Sequence, residues 1–176
     1  TRSWSDPLTD ARPRLTGVWM DEPDRITAEE RWITKKARKP ILAALEQATE
    51  ITAPLWRRKR QLIHGDLHIW NAKWHEGRLS VFDFDDCGHG LPLQDLAITS
   101  YYLRDDDGAE AAVREGYESV RALPQHTDEQ FEALLVARNL LLLNSVLESV
   151  TADMADFLPG YVEKTVCLLY TSDAAD

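Results

Sequence analysis

The feature that most restricts this chain is a dense polar stretch interrupted by one short turn. Residues 64–71 read His64-Gly65-Asp66-Leu67-His68-Ile69-Trp70-Asn71. Residues 82–90 read Phe82-Asp83-Phe84-Asp85-Asp86-Cys87-Gly88-His89-Gly90, and Asp95-Leu96-Ala97 follow shortly after. Between them, Trp74 and Val81-Phe82 flank His75-Glu76-Gly77-Arg78. That pattern predicts a β-hairpin, because Gly supplies the positive φ a tight turn requires. A hairpin there makes Asn71 begin one strand and Asp83 end its partner. Both side chains can then return to the same edge.

The chemistry of those residue types suits phosphoryl transfer. Asp66 can accept a proton from an attacking hydroxyl. Asn71 offers a neutral oxygen and Asp83 a charged one to a hard cation. Mg²⁺ takes few protein oxygens and fills its other positions with water or phosphate. The surrounding polar residues have plainer readings. His68 reads first as a loop-packing or hydrogen-bonding residue and second as a substrate contact. His89, between two glycines, reads as exposed loop and a candidate substrate contact. Asp86 reads as a turn or cap residue and Cys87 as a small filler. Trp70 and Trp74 read as packing for the hairpin.

The flanks predict helices. Thr27-Ala28-Glu29-Glu30 is a capping-box pattern, and Trp32, Ile33, Ala37, Ile41, Leu42, Leu45 and Ala48 follow at helical spacing. We expect one helix from about 27 to 50 with a kink at Pro40. Arg57-Arg58-Lys59-Arg60 reads as a solvated helix end. Further helices are expected at 93–103, at 109–123 and from Thr127-Asp128-Glu129-Gln130 onward, with Asp105-Asp106-Asp107-Gly108 ending the first. The run Leu140–Leu143 reads as a buried core helix.

Composition narrows the class. The 176 residues hold 20 Lys plus Arg against 30 Asp plus Glu, a net charge of −10. A basic footprint for nucleic acid is absent. An acidic surface leaves room for a cationic ligand. No run of about 18 apolar residues stands out, so no membrane partner is expected. The start shows no secretory h-region and no Met, and we expect a cytoplasmic protein whose natural N-terminus is missing. The final ten residues, from Cys167 to Asp176, resemble an in-frame translation of a sequencing adapter. We expect residues 1–166 to be the native part and 167–176 a non-native tail; a frayed natural C-terminus is the alternative.

The motifs together carry a resemblance. His64-Gly65-Asp66 with Asn71 five residues after the Asp resembles the protein-kinase catalytic loop, with Gly in place of its Arg. Asp83-Phe84-Asp85 stands where kinases carry Asp-Phe-Gly. Residues 61–104 as a whole are similar to the aminoglycoside phosphotransferase and choline kinase family. The resemblance implies an α+β, mostly helical fold: the C-terminal lobe of a protein-kinase-like fold with a small central β-hairpin. It implies ATP and Mg²⁺ as cofactors, with a small-molecule hydroxyl acceptor. Asp66 is implied as catalytic base, and Asn71 and Asp83 as metal ligands. Asp85 is implied as a second-metal or substrate contact. His64 and Asp95 are implied as supports of the catalytic loop. Lacking the Arg of the kinase triplet, the loop has no clamp for a phosphorylated segment.

The glycine-rich hairpin and paired Lys of a nucleotide lobe are not found in this chain, and Lys35, Lys36 and Lys39 fall on a predicted helix. We therefore expect a lobe of a larger enzyme, inactive by itself. Two other readings remain. One is a pseudokinase or binding module without catalysis. The other is a metal-dependent hydrolase with His64, Asp66 and His68 as ligands and Asp83, Asp85 and Asp86 completing a two-metal site.

Overall fold

A computed structural model describes residues 15–29, 31–148 and 156–173. Five helices carry the mass: α1 (Lys35–Thr52), α2 (Pro92–Leu103), α3 (Asp107–Glu118), α4 (Asp128–Glu148) and α5 (Leu158–Asp173). Four short strands lie between α1 and α2: β1 (Gln61–Ile63), β2 (Ala72–His75), β3 (Arg78–Val81) and β4 (Gly88–Gly90). They form two antiparallel pairs, β2 with β3 and β1 with β4. The fold is the mostly helical α+β arrangement that the sequence implied.

The hairpin is as expected. His75 pairs Arg78 across the turn, and Glu76 and Gly77 take φ of 48° and 74°. Two positive φ values in a two-residue loop match the right-handed twist of the strands. The long-range pair β1–β4 was not anticipated. It sets Gln61 opposite Gly90 and Ile63 opposite Gly88, so His89 belongs to a strand rather than a loop.

α1 begins later than the capping-box pattern implied. Asp24 captures both the amide and the hydroxyl of Thr27, at 3.0 and 2.5 Å, and closes a turn there. The helix starts after Thr34, whose hydroxyl accepts the Ala37 amide at 3.3 Å. Glu30, part of the expected box, lies outside the described residues. α1 then runs unbroken through Pro40. Asp106 does not only end α2: its carboxylate caps α3 by accepting the Ala109 amide at 3.0 Å. That helix stops at Glu118, short of the expected 123. The box at Thr127 does form, with Thr127 and Gln130 bonding each other's amides at 3.2 and 3.3 Å.

Two apolar clusters make the core. Ile41 and Ala48 of α1 meet Ala137, Leu140, Leu143 and Leu147 of α4 and Leu158, Val162 and Leu169 of α5. Leu55, Leu93, Leu96 and Ala97 meet Phe131, Leu134 and Leu135 in the second. α4 belongs to both. Burying a Leu side chain fully contributes about 1.5–3 kcal/mol, and Leu140 and Leu143 are both 0 % exposed. α4 is also long and apolar enough to cross a membrane, by length and composition, but 67 % of its most apolar window is buried here. Residues 167–173, expected outside the fold, continue α5, and Leu169 joins the first cluster. An apolar helical face packs in this way whatever its origin.

Trp70 and Trp74 do not pack the hairpin. They are 79 % and 69 % exposed, and Ile69, Leu79, Phe82 and Phe84 are exposed beside them.

Candidate active site

The loop after β1 is fixed from below by one carboxylate. Asp95, in the first turn of α2, accepts the His64 amide at 3.0 Å and the Gly65 amide at 2.9 Å. Burial pushes the Asp95 carboxyl above its usual range, and the two amide donors pull the other way. His64 uses both ring nitrogens on backbone: one faces the Phe82 carbonyl at 3.0 Å, the other accepts the Asp66 amide at 3.3 Å. Its proton therefore sits on Nε2. Both side chains thus bond the backbone of the loop or its neighbour. Thr99 adds a hydroxyl bond to the Leu67 carbonyl at 2.9 Å.

Gly65 explains why no Arg can stand in this loop. Its φ is +84°, and a Cβ there would lie 2.3 Å from the Asp86 carbonyl oxygen. The loop bearing Asp66 and the acidic loop touch at this point, backbone to backbone.

Asp66 is the hub. Its Oδ2 accepts the Asn71 side-chain amide at 3.2 Å and lies 3.3 Å from His68 Nε2. Its Oδ1 accepts from Tyr102 at 3.3 Å and from the Arg138 guanidinium. Arg138 also donates to the Tyr102 hydroxyl at 2.7 Å. His68 stacks on Tyr102 with ring centroids 4.5 Å apart, and its Nδ1 accepts the Trp70 amide at 3.2 Å. The sequence reading missed Arg138 and Tyr102. Arg138 did leave a signal, a cation inside the apolar run of α4.

Asn71 is buried at the foot of β2 and turns its amide nitrogen to Asp66, onto the carbonyl at 2.9 Å and the carboxylate. The amide oxygen is the half left to a cation. The Asn71 carbonyl accepts the Phe82 amide at 3.0 Å, which sets Asp83 one residue beyond this junction. Asp83 takes φ of 63°, a left-handed turn out of β3. Asp83 and Asp85 are exposed. Asp86 titrates above its usual range, first through partial burial and then through repulsion by Asp66, Asp83 and Asp85, with Arg138 opposing. Asp86 lies exposed in the turn closed by the Cys87 amide on the Phe84 carbonyl at 3.2 Å, as expected. Asn71 and Asp83 are oxygen donors of the type a hard cation such as Mg²⁺ takes, few in number as that ion requires. A zinc-type hydrolase site does not form. His64 is committed to backbone, and among the described residues no three His, Cys, Asp or Glu side chains converge on one point. His89 is not among the partners of Asp66; its backbone pairs with Leu62 and its carbonyl accepts the Leu15 amide at 3.1 Å.

Beside the loop lies a cavity of about 440 Å³ lined by Leu67, His68, Leu79, Leu96, Tyr102 and Val113 among others. Its lining is overwhelmingly apolar, so the cavity itself does not favour a cationic occupant.

Fold and loop together define the helical lobe of a kinase-like fold. The family model described as the phosphotransferase enzyme family matches residues 5–130, and the chain belongs to that family. It is similar to the amicoumacin kinase of Bacillus subtilis (strain 168), 42 % identical over 40 residues, 23 % of this chain and 12 % of that protein. Among solved structures it resembles an aminopropanol kinase associated with a microcompartment, at 21 % identity and TM-score 0.65, covering 82 % of this chain and 49 % of the other. It also resembles an amicoumacin kinase in complex with AMP-PNP, Ca²⁺ and Ami, at 21 % identity and TM-score 0.54, over 80 % of this chain and 49 % of that one. The chain spans about half the length of these solved relatives.

Proposed function

We propose that this chain is the catalytic lobe of an ATP-dependent, small-molecule kinase of the cytoplasm. The observation that carries the reading is the arrangement at Asp66: a carboxylate held in place by four donors, joined directly to the amide of Asn71. In this reading the acceptor hydroxyl approaches Oδ2 of Asp66, the oxygen that the Arg138 guanidinium does not hold. Its proton passes to Asp66 as its oxygen attacks the γ-phosphorus. The bond to the β-phosphate oxygen breaks, and ADP leaves with the electron pair. Asn71 and Asp83 would hold Mg²⁺, which supplies charge neutralisation to the phosphates when bound. Asp85 and Asp86 stand ready as further oxygen donors or substrate contacts. His64 and Asp95 keep the loop from shifting.

The name of one relative, an aminopropanol kinase, supports an acceptor that carries both a hydroxyl and an amine. A cationic acceptor would meet Asp83, Asp85 and Asp86, and it would keep clear of Arg138.

The test is ADP release from the complete enzyme with Mg-ATP and a panel of amino alcohols, aminoglycosides and amicoumacin-type acceptors. Asp66→Ala should lower kcat by roughly 10²–10⁴-fold, the usual worth of a general base. A drop below about threefold removes Asp66 from that role. The isolated 176-residue chain should turn over far below about 1–100 s⁻¹, the range typical of kinases.

A further inference from the structure

Arg138 is a cation in a helix that is otherwise core. Its side chain is 6 % exposed, and it lies between two Leu-rich turns of α4. Burying a guanidinium is costly unless it is paired and hydrogen-bonded. Its partners are the Asp66 carboxylate and the Tyr102 hydroxyl, while its Nε has no hydrogen-bond partner among the described residues. Tyr102 closes the triangle by donating its hydroxyl to the same Oδ1 of Asp66. The guanidinium carbon also lies 5.5 Å from the Tyr102 ring centroid.

Resting on the kinase reading above, we propose that Arg138 and Tyr102 are positioning residues that fix the rotation of the Asp66 carboxylate. Both grip Oδ1. Oδ2 is left to Asn71 and His68 at 3.2 and 3.3 Å, no farther than Tyr102 lies from Oδ1, so the guanidinium is what sets Oδ1 apart, with the Tyr102 hydroxyl bridging the two. One oxygen is the anchor and the other the working atom. A carboxylate held by Asn71 and His68 alone would be free to present either oxygen. The arrangement also ties the reacting group to α4, and hence to both apolar clusters, through one side chain.

The first test uses the 176-residue chain labelled with ¹³C-carboxyl aspartate, with the Asp66 signal assigned by Asp66→Asn. We expect a single sharp Asp66 resonance in the parent. In Tyr102→Phe and Arg138→Lys it should broaden or split, while the signals of Asp24 and Asp128 stay in place. An unchanged Asp66 signal in both variants overturns the proposal. The second test is kinetic, in the complete enzyme with whichever of 1-amino-2-propanol and amicoumacin gives the higher ADP release. Arg138→Lys should lower kcat by about 10–100-fold, the cost of a misplacement of about 1 Å, with KM for ATP and acceptor within about threefold. Tyr102→Phe, which removes one oxygen and keeps the ring, should lower kcat less and leave KM alike. A loss confined to KM, or no loss, overturns the positioning role. If Asp66→Ala is also silent, the kinase reading fails with it. If Asp66→Ala abolishes turnover while both other variants are silent, only the present inference fails.

Discussion

Replacing Gly65 with Ala tests whether the contact between the two acidic loops sets the geometry of the site. The added Cβ would lie 2.3 Å from the Asp86 carbonyl oxygen, where ordinary contact begins at 3.4 Å, so about 1 Å must be found. The obstacle is backbone and cannot swing aside as a side chain would. At φ +84° an L residue also carries about 1–2 kcal/mol of its own steric cost. Overpacking a tight site typically adds about 1–3 kcal/mol. The sum, about 2–5 kcal/mol, should lower Tm by roughly 4–20 °C in a domain of this size. Gly116→Ala in α3 is the control, because no atom lies within 4 Å of its Cβ position and its φ is not left-handed. That change should stabilise by about 0.4–1 kcal/mol. Thermal unfolding followed by circular dichroism measures both on the 176-residue chain, with no need for an acceptor. If Gly65→Ala melts within about 2 °C of the parent, the loops are not in the register described.

Other outcomes follow from the charges. Asp86 has its carboxyl raised above the ordinary 3.8, so the folded state holds its proton more tightly than the unfolded chain does. Its ionisation therefore lowers stability as pH rises from about 3.8 through the folded-state value, and the loss persists above it. Asp86→Asn should raise Tm at pH 7 and lose that advantage at pH 3.5; equal gains at both would exclude the repulsion. Arg138→Met leaves the Asp66 carboxylate, 21 % exposed, without its cation and should cost about 3 kcal/mol, the low end for breaking a buried pair. The double change Arg138→Met with Asp66→Asn should recover most of it, and strict additivity in denaturant melts would contradict the pairing.

The site was legible where its signal is local. His64, Asp66 and Asn71 lie within eight residues, and the two-residue turn at Glu76-Gly77 announces the ribbon that brings Asp83 back. Asp95 was legible only through the family resemblance of the motif it closes. What stayed hidden depends on tertiary contact. Nothing near Arg138 in sequence indicates a carboxylate 72 residues away. The β1–β4 pair joins segments too short and too glycine-rich to show strand alternation. The late start of α1 turned on competition: Asp24 captured Thr27 before the capping box could close. The exposure of Trp70 and Trp74 is likewise a fact about neighbours, which an aromatic residue's own identity does not encode.

The hairpin has a mechanical consequence. Seven of the eight side chains of β2 and β3 are exposed, and no apolar cluster reaches them. The loop bearing Asp66 is bolted to α2 and α4. Hydrogen exchange should therefore find the Phe82 amide opening well before those of His64 and Gly65. The site has one stiff bank and one compliant bank: the Asp66 carboxylate is set by the core, while the Asp83 side is free to shift with the hairpin.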